Sequence, residues 1–215
     1  MILNINSAEV HIQENESNIK GLKFIPQITN FGPKGNDEDQ LPFSHGFAIE
    51  VSPSNFFLTE ELTKKYAKHH IVEIGVHRNG QNSFTRAMLN HKPKNSKYLG
   101  IDLESKTFLN NQENNIYTIQ ANSFDQERVR AYMHEIGIDK ISIFFIDGWH
   151  SLNTIINDWK YTDLLADDGI VIFHDTNYHP GPSILLEAID KNLYDIKKYF
   201  ENDRADCGMA VAFKK

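Results

Sequence analysis

The sequence predicts an α/β fold: a doubly wound sheet of about seven strands, mostly parallel, with a C-terminal antiparallel hairpin and an N-terminal extension. From residue 57 onward, five short apolar runs alternate with stretches of helical period. Such nearly continuous apolar runs are typical of parallel strands buried on both faces. An acid or an amide stands at the end of each run. The last two segments, KKYFEND and GMAVAFKK, flank a short turn and predict the hairpin.

The predicted elements follow one another in regular order. The apolar runs predict strands at 70–76, 97–103, 115–121, 141–147 and 169–175. Amphipathic or helix-favouring stretches predict helices at 58–70, 83–91, 124–137, 151–166 and 182–193. Thr59 is the predicted N-cap of the first helix, because a threonine hydroxyl can accept a hydrogen bond from a free N–H of the first turn.

The first 56 residues differ from the rest. Ile5, Val10 and Ile12 lie in partly alternating, strand-like surroundings. Residues 27–46 are rich in Gly, Pro, Asn and Asp and predict a long loop, which is either a lid over the substrate or a plain flexible connection. We therefore divide the chain into an extension at 1–56, with a candidate substrate lid, and one domain at 57–215.

Composition excludes several classes of protein. The chain has 215 residues, a formal net charge of −7 and a single cysteine, Cys207. One cysteine excludes an internal disulfide framework and is compatible with a cytoplasmic location. The interspersed charges argue against a nucleic-acid partner, and no run approaches the ~18 apolar residues of a membrane span. The strand-like arm at 2–13 is compatible with a homodimer.

Polar residues follow every strand of the parallel part. Ligands of such sheets bind beyond the C-terminal ends of the strands, where the strand order reverses. Strand ends are polar in many proteins, but an acid or an amide at all five is less well explained by that tendency. These residues are Glu73, Asp102, Asn122, Asp147 and the pair His174–Asp175.

A glycine turn follows the first of these strands, in VEIGVHRNG at residues 72–80. Gly75 lets the chain turn tightly and lets backbone N–H groups approach a ligand. Counted from Gly75, the third position is His77 and the sixth is Gly80, so the G-x-G-x-x-G of dinucleotide sites is incomplete. A ligand without a pyrophosphate does not need the missing glycine.

Glu73 and Gly75 together resemble the E/D-x-G that opens the first motif of class I S-adenosylmethionine-dependent methyltransferases. The resemblance extends over residues 57–215 and implies a Rossmann-like sheet with S-adenosylmethionine as the cofactor. It also implies that the cofactor binds against Glu73, Gly75 and Gly80.

Two further strand ends match this family. Asp102, at the end of YLGID, stands where the family holds the ribose diol. Asn122 and Ser123, in QANS, stand where the family holds the edge of the adenine. The family often has Asp at the first of these positions, but an asparagine can still accept and donate hydrogen bonds. A turn without a ligand is the alternative for Asp102 and Asn122.

The pair of segments FFIDGWHS and GIVIFHDT resembles the branch of catechol- and caffeoyl-CoA-type O-methyltransferases, methyltransferase family 24, with cephalosporin-hydroxylase-like proteins nearby. The resemblance implies that Asp147 and Asp175 bind Mg²⁺ or another divalent cation. Thr176 stands where catechol-type enzymes carry Asn. His174 is therefore a candidate third ligand, which would favour a transition metal, and a site without metal is the alternative.

The resemblance also assigns roles to Trp149 and His150. Trp149 is expected to cover the adenine, and His150 falls where catechol-type enzymes hold the lysine that accepts the hydroxyl proton. A histidine suits this role because its ordinary pKa of about 6.5 lies near neutral pH. Asp147 is expected to serve catalysis and cofactor binding beside it. The structural alternatives are that Asp147 caps the next helix, Trp149 packs in the core, His150 only begins that helix, and His174 is a buried structural histidine.

The expected function is transfer of a methyl group from S-adenosylmethionine to a hydroxyl of a small molecule, natural product or sugar. An NAD-dependent oxidoreductase on the same sheet is one alternative, which the glycine spacing at 75–80 disfavours. A non-catalytic, cofactor-binding Rossmann-like protein is the other, because Asn122 and Thr176 depart from the family pattern.

Overall fold

The computed structural model describes residues 1–5, 8–31, 51–76, 83–177, 179–200 and 206–215. Three antiparallel strands form an N-terminal sheet in the order β1-β2-β3: β1 Ile2–Ile5, β2 Ala8–Glu16 and β3 Phe24–Asn30. Seven strands form a second sheet: β4 His70–Ile74, β5 Tyr98–Asp102, β6 Ile116–Gln120, β7 Ile141–Ile146, β8 Leu165–His174, β9 Tyr194–Tyr199 and β10 Met209–Lys214. Its order is β6-β5-β4-β7-β8-β10-β9. The predicted fold class is confirmed.

Five α-helices lie in the described part of the chain: α1 Pro53–Tyr66, α2 Phe84–His91, α3 Gln126–Glu135, α4 Leu152–Trp159 and α5 Pro180–Ala188. The first helix begins six residues earlier than the predicted cap. Ser52 is its N-cap and accepts a hydrogen bond from the Asn55 N–H. Thr59 is completely buried inside the helix and donates to the Asn55 carbonyl at 2.9 Å. The prediction of Thr59 as the cap is therefore wrong.

One compact unit, here the central unit, comprises residues 51–148 and 164–172. In it β4 pairs in parallel with both β5 and β7. The chain runs outward from β4 through β5 to β6 and then returns to the other side of β4 with β7. The strand order therefore reverses between β4 and β7, which is where ligands bind in such sheets. All six residues of β7 are buried, as expected for a strand covered on both faces.

The second compact unit, here the terminal unit, comprises residues 1–50, 149–163 and 173–215. Trp159 is fully buried in it, and the indole N–H donates to the Lys20 carbonyl at 3.0 Å. The ring stacks on Phe173 at 5.9 Å between centroids and meets the edge of Tyr194 at 5.3 Å. Strands β9 and β10 pair antiparallel, which confirms the predicted hairpin.

The N-terminal extension is more regular than its composition predicts. Val10 and Ile12 are buried in β2, in agreement with the strand-like pattern. The predicted loop at 27–46 is wrong at its beginning, because Gln27 to Asn30 complete β3 and pair with β2. Residues 32–46 lie outside the described residues, so a lid there stays a prediction, as does the homodimer. No helix in the described ranges is both long and apolar enough to cross a membrane.

Candidate active site

Glu73 is the fourth residue of β4, and its side chain lies in the interior of the central unit. Its Oε2 accepts a hydrogen bond from the Thr85 hydroxyl at 2.8 Å and another from the Tyr98 hydroxyl. Burial raises the pKa of Glu73 to about 8, although these two hydrogen bonds act in the opposite direction. The residue is 1% exposed. The carboxyl is mainly protonated at neutral pH, and its role in cofactor binding stays a prediction.

Gly75 makes the tight turn that follows β4. Its φ is +83°, in the left-handed region that favours glycine. A Cβ at this position would lie 2.0 Å from the backbone oxygen of Asp147. The turn after β4 therefore lies directly against the end of β7. Gly80 lies outside the described residues, so its predicted role is untested.

Asp102 connects two turns of the central unit. Its Oδ2 accepts the N–H of Val76, just after the glycine turn, at 2.8 Å. Its Oδ1 accepts the N–H of Glu104 at 2.8 Å, and the Lys106 ammonium lies 3.8 Å from Oδ2. A carboxylate has about four acceptor positions, and backbone N–H groups of the described residues take two of them. The turn alternative and the ribose role are compatible at this residue.

A cavity of about 480 Å³ lies along β6 in the same unit. Asn122 lines it, and its Oδ1 accepts the Phe124 N–H at 3.0 Å. The neighbouring Ser123 is buried, whereas the apolar side chain of Leu103 is 63% exposed. The lining of this space therefore includes an amide and an exposed apolar side chain. The roles of Asn122 and Ser123 stay predictions.

Asp147 follows β7 and belongs to the central unit, whereas His150, His174 and Asp175 belong to the terminal unit. The Asp147 N–H donates to the Ile74 carbonyl at 2.9 Å. Asp147 does not cap α4, because Ser151 is the N-cap. Its predicted roles in cofactor binding, metal binding and catalysis stay predictions.

Trp149 and His150 stand just before that N-cap. Trp149 is 53% exposed, which excludes the alternative that it packs in the core. An exposed indole next to a strand end is available to cover a ligand, and its predicted contact with adenine stays a prediction. The imidazole of His150 is mostly buried and stacks on the ring of His179, with centroids 4.1 Å apart and planes 19° apart.

Asp175 is the centre of a polar cluster in the terminal unit. Its Oδ2 lies 2.9 Å from His150 Nε2 and 3.2 Å from His174 Nδ1. Burial alone would raise the pKa of Asp175, but the charges and hydrogen bonds of His174 and His150 hold this pKa well below its usual range. Asp175 is therefore an ionised carboxylate between two imidazoles. Both predicted residues of this segment, His174 and Asp175, meet here, together with His150.

The backbone of Asp175 explains how two consecutive residues reach one atom. Side chains of neighbouring residues in a strand point to opposite faces. Asp175 follows the last residue of β8 and has a φ of +58°, in the left-handed region that non-glycine residues rarely adopt. This turn brings its carboxylate back towards His174. Such conformations concentrate at functional sites.

Two residues of the cluster were not predicted as ligands. These residues are His179 and Cys207. Donor atoms of His150, Asp175 and His179 all lie within 4.8 Å of one another, as do those of His174, Asp175 and Cys207. The sequence signal for His179 is its place in HDTNYH, one turn after Asp175. Cys207 is separated from Asp175 by the whole of α5 and β9, so no local pattern indicates it.

The chemistry of these donors bears on the predicted cation. Mg²⁺ takes an octahedron of oxygen ligands. Each of the two groups has one carboxylate and two nitrogen or sulfur donors, so neither is the oxygen set that Mg²⁺ prefers. Imidazole and thiolate suit Zn²⁺ and other transition ions. Neither group is therefore a favourable site for Mg²⁺.

Comparisons with known proteins identify solved structures that share this fold. No protein-family model matches the sequence, and no curated protein matches it. Among solved structures, the MycE methyltransferase of the mycinamycin biosynthetic pathway, in complex with Mg and S-adenosylhomocysteine, has a TM-score of 0.55 at 16% identity. The match covers 78% of this chain and 55% of MycE.

Two further structures give the same result. A Staphylococcus aureus protein assigned as a caffeoyl-CoA O-methyltransferase has a TM-score of 0.55 at 17% identity, over 78% of this chain and 86% of that protein. CalS11, a TDP-rhamnose 3'-O-methyltransferase of calicheamicin biosynthesis, has a TM-score of 0.53 at 12% identity, over 76% of this chain and 81% of CalS11. The chain therefore has the fold of the class I S-adenosylmethionine-dependent methyltransferases.

Proposed function

We propose that this protein is an S-adenosylmethionine-dependent methyltransferase that methylates a hydroxyl oxygen of a small molecule, natural product or sugar. The observation that carries the proposal is the pair of His150 and Asp175, 2.9 Å apart, at the end of β8 in a fold of this class. The names of MycE and CalS11 support a natural-product or sugar acceptor. A cytoplasmic location and a homodimer are part of the proposal.

The central unit supplies the cofactor site. The Gly75 turn lies at the switch point between β4 and β7, where ligands of such sheets bind. S-adenosylmethionine has no pyrophosphate, so it does not need a complete dinucleotide motif. Asp102 would bind the ribose diol through its remaining acceptor positions. Asn122 and Ser123 would hold the adenine edge, and Trp149 would cover the base.

The terminal unit supplies the proton acceptor. The acceptor oxygen attacks the methyl carbon in line with the sulfonium, the carbon–sulfur bond breaks, and S-adenosylhomocysteine leaves with the bonding electrons. The hydroxyl proton passes to His150, because a neutral alcohol is a poor nucleophile. The Asp175 carboxylate then stabilises the imidazolium, since it is held ionised against His150. Alignment of oxygen and methyl carbon supplies the rest of the rate enhancement.

The predicted cation site stays part of the proposal, but no reaction step depends on it. Asp147, Asp175 and His174 are the ligand set that the sequence resemblance implies. If such a cation is present, it would polarise the acceptor hydroxyl and fix its position. The mechanism proposed here needs only His150 and Asp175 for proton removal and uses no ion.

Replacing His150 by glutamine is expected to lower the rate of methyl transfer by about 10²- to 10⁴-fold, because glutamine cannot accept the hydroxyl proton. Transfer of labelled methyl from S-adenosylmethionine to sugars, phenols and macrolides measures this rate. Binding of S-adenosylmethionine should change little. The control is His134→Gln, at an exposed position of α3. Equal rates in the His150→Gln variant and the wild type would contradict the assignment of the base.

A further inference from the structure

We propose that His150, Asp175 and His179 form a binding site for a transition-metal ion such as Zn²⁺. The three residues come from the turn before α4, the end of β8 and the start of α5, all within the terminal unit. Two imidazoles and one carboxylate are donors that Zn²⁺, Co²⁺, Fe²⁺ and Ni²⁺ accept and that Mg²⁺ accepts poorly. The inference goes beyond the proposed function, because the residues assigned to S-adenosylmethionine need no ion.

The donor atoms are close to the separation that one ion imposes. Two donors that each lie about 2.1 Å from the same ion are at most about 4.2 Å apart. The donors of His150, Asp175 and His179 all lie within 4.8 Å of one another. An imidazole binds an ion along the nitrogen lone pair, in the plane of its ring. The stacked rings of His150 and His179 would therefore have to turn out of their nearly parallel arrangement to share one ion.

The backbone holds the three residues in fixed relative positions. The His179 N–H donates to the Asp175 carbonyl at 3.1 Å, which closes one turn between these two ligands. A Cβ at Gly181 would lie 2.0 Å from the His150 carbonyl oxygen, so the start of α5 lies directly against the His150 backbone. The backbone therefore needs little rearrangement when an ion binds, which favours affinity, and the movement is confined to the two imidazole rings.

Partial exposure distinguishes the group of His150, Asp175 and His179 from the second group of possible ligands. His174, Asp175 and Cys207 are all buried, whereas His150 and His179 are each partly exposed. His150 Nε2 and His179 Nδ1 are themselves covered, so an ion would enter when one of the two partly exposed rings turns. Three protein ligands leave the fourth position of a tetrahedral Zn²⁺ site for water or a substrate oxygen. In the metal-loaded protein His150 is a ligand, so its role as proton acceptor belongs to the metal-free protein.

Titration of Co²⁺ into the tag-free, metal-stripped full chain tests the site without any need for activity. We expect one ion per chain, visible ligand-field bands and no thiolate-to-cobalt charge-transfer band, with Zn²⁺ displacing Co²⁺ and an equal concentration of Mg²⁺ leaving it bound. His179→Ala should weaken binding by at least about tenfold. This side chain makes no capping hydrogen bond to α5, so its loss should not unfold the helix.

Control variants decide between the two groups of ligands. His134→Ala removes an exposed histidine of α3, and Cys207→Ser removes the thiol of the buried group; both should bind Co²⁺ as the wild type does. His150→Gln should reproduce the loss seen with His179→Ala, and circular dichroism shows that each variant is folded. The proposal is overturned if no ion binds, if Mg²⁺ displaces Co²⁺ at equal concentration, or if Cys207→Ser alone abolishes binding.

Discussion

Gly75→Ala is expected to destabilise the protein by more than about 4 kcal/mol, a loss that few single substitutions cause. Two effects combine at this position. The φ of +83° costs an alanine about 1–2 kcal/mol. The added Cβ would also lie 2.0 Å from the Asp147 backbone oxygen, so the turn after β4 would have to separate from the end of β7.

Gly137→Ala is the matched control for this substitution. Gly137 also has a positive φ, +70°, but a Cβ there would meet only the flexible end of Lys97, at 2.8 Å. We expect this variant to lose about 1–2 kcal/mol, the cost of the backbone conformation alone. Urea unfolding measures both variants. Similar losses in the two would show that the contact between the Gly75 turn and β7 is not as close as described.

Glu73→Gln is expected to remove a large pH dependence of stability. Burial raises the pKa of Glu73 from an ordinary 4.5 to about 8, so between these values the folded protein holds a proton that the unfolded chain has released. The free energy of unfolding therefore falls as pH rises from 4.5 to 8, by about 1.4 kcal/mol per pH unit at most. The total is on the order of 4 kcal/mol. Above about pH 8 both states are ionised and the slope disappears.

Glutamine is neutral at every pH and keeps an oxygen that can accept from Thr85 and Tyr98. The variant should thus lose this slope and exceed the wild type in stability at pH 8. Urea unfolding at pH 5, 6, 7 and 8 measures the free energy of unfolding. Glu113→Gln, at an exposed position, is the control and should keep the wild-type slope. An unchanged slope in Glu73→Gln would mean that Glu73 is ionised in the folded protein at neutral pH.

The strands of the parallel sheet were predictable because burial on both faces selects continuous apolar runs. Strand β3 was not, because its sequence, FIPQITN, is half polar and only partly buried, as expected for a strand of a small sheet. The N-cap of α1 was not predicted correctly. Ser52 is followed by PSNFF, and this segment lacks the helical spacing of apolar and polar residues that begins further along the chain. Local patterns predict an element more reliably than its first residue.

In the candidate site, too, some features could be predicted from the sequence and others could not. Strand-end positions such as Asp102 and Asp175 follow from the topology, since parallel strands end at one edge of the sheet. The contacts among side chains do not follow from it. The left-handed turn at Asp175 brings its carboxylate to His174, and the folding of α5 against His150 brings His179 into the cluster. Both depend on tertiary contacts, which the periodicity of the sequence does not predict.

Calorimetric titration of S-adenosylmethionine into the purified protein is the most direct test that the chain is a methyltransferase. The account predicts micromolar binding in the wild type, a loss of at least about tenfold in Asp102→Ala, which removes the ribose acceptor, and no binding of NAD. Asp168→Ala, which removes an exposed carboxylate of the same unit, should bind as the wild type does. Absence of S-adenosylmethionine binding, or binding of NAD in its place, would contradict the proposed function and leave the fold as described.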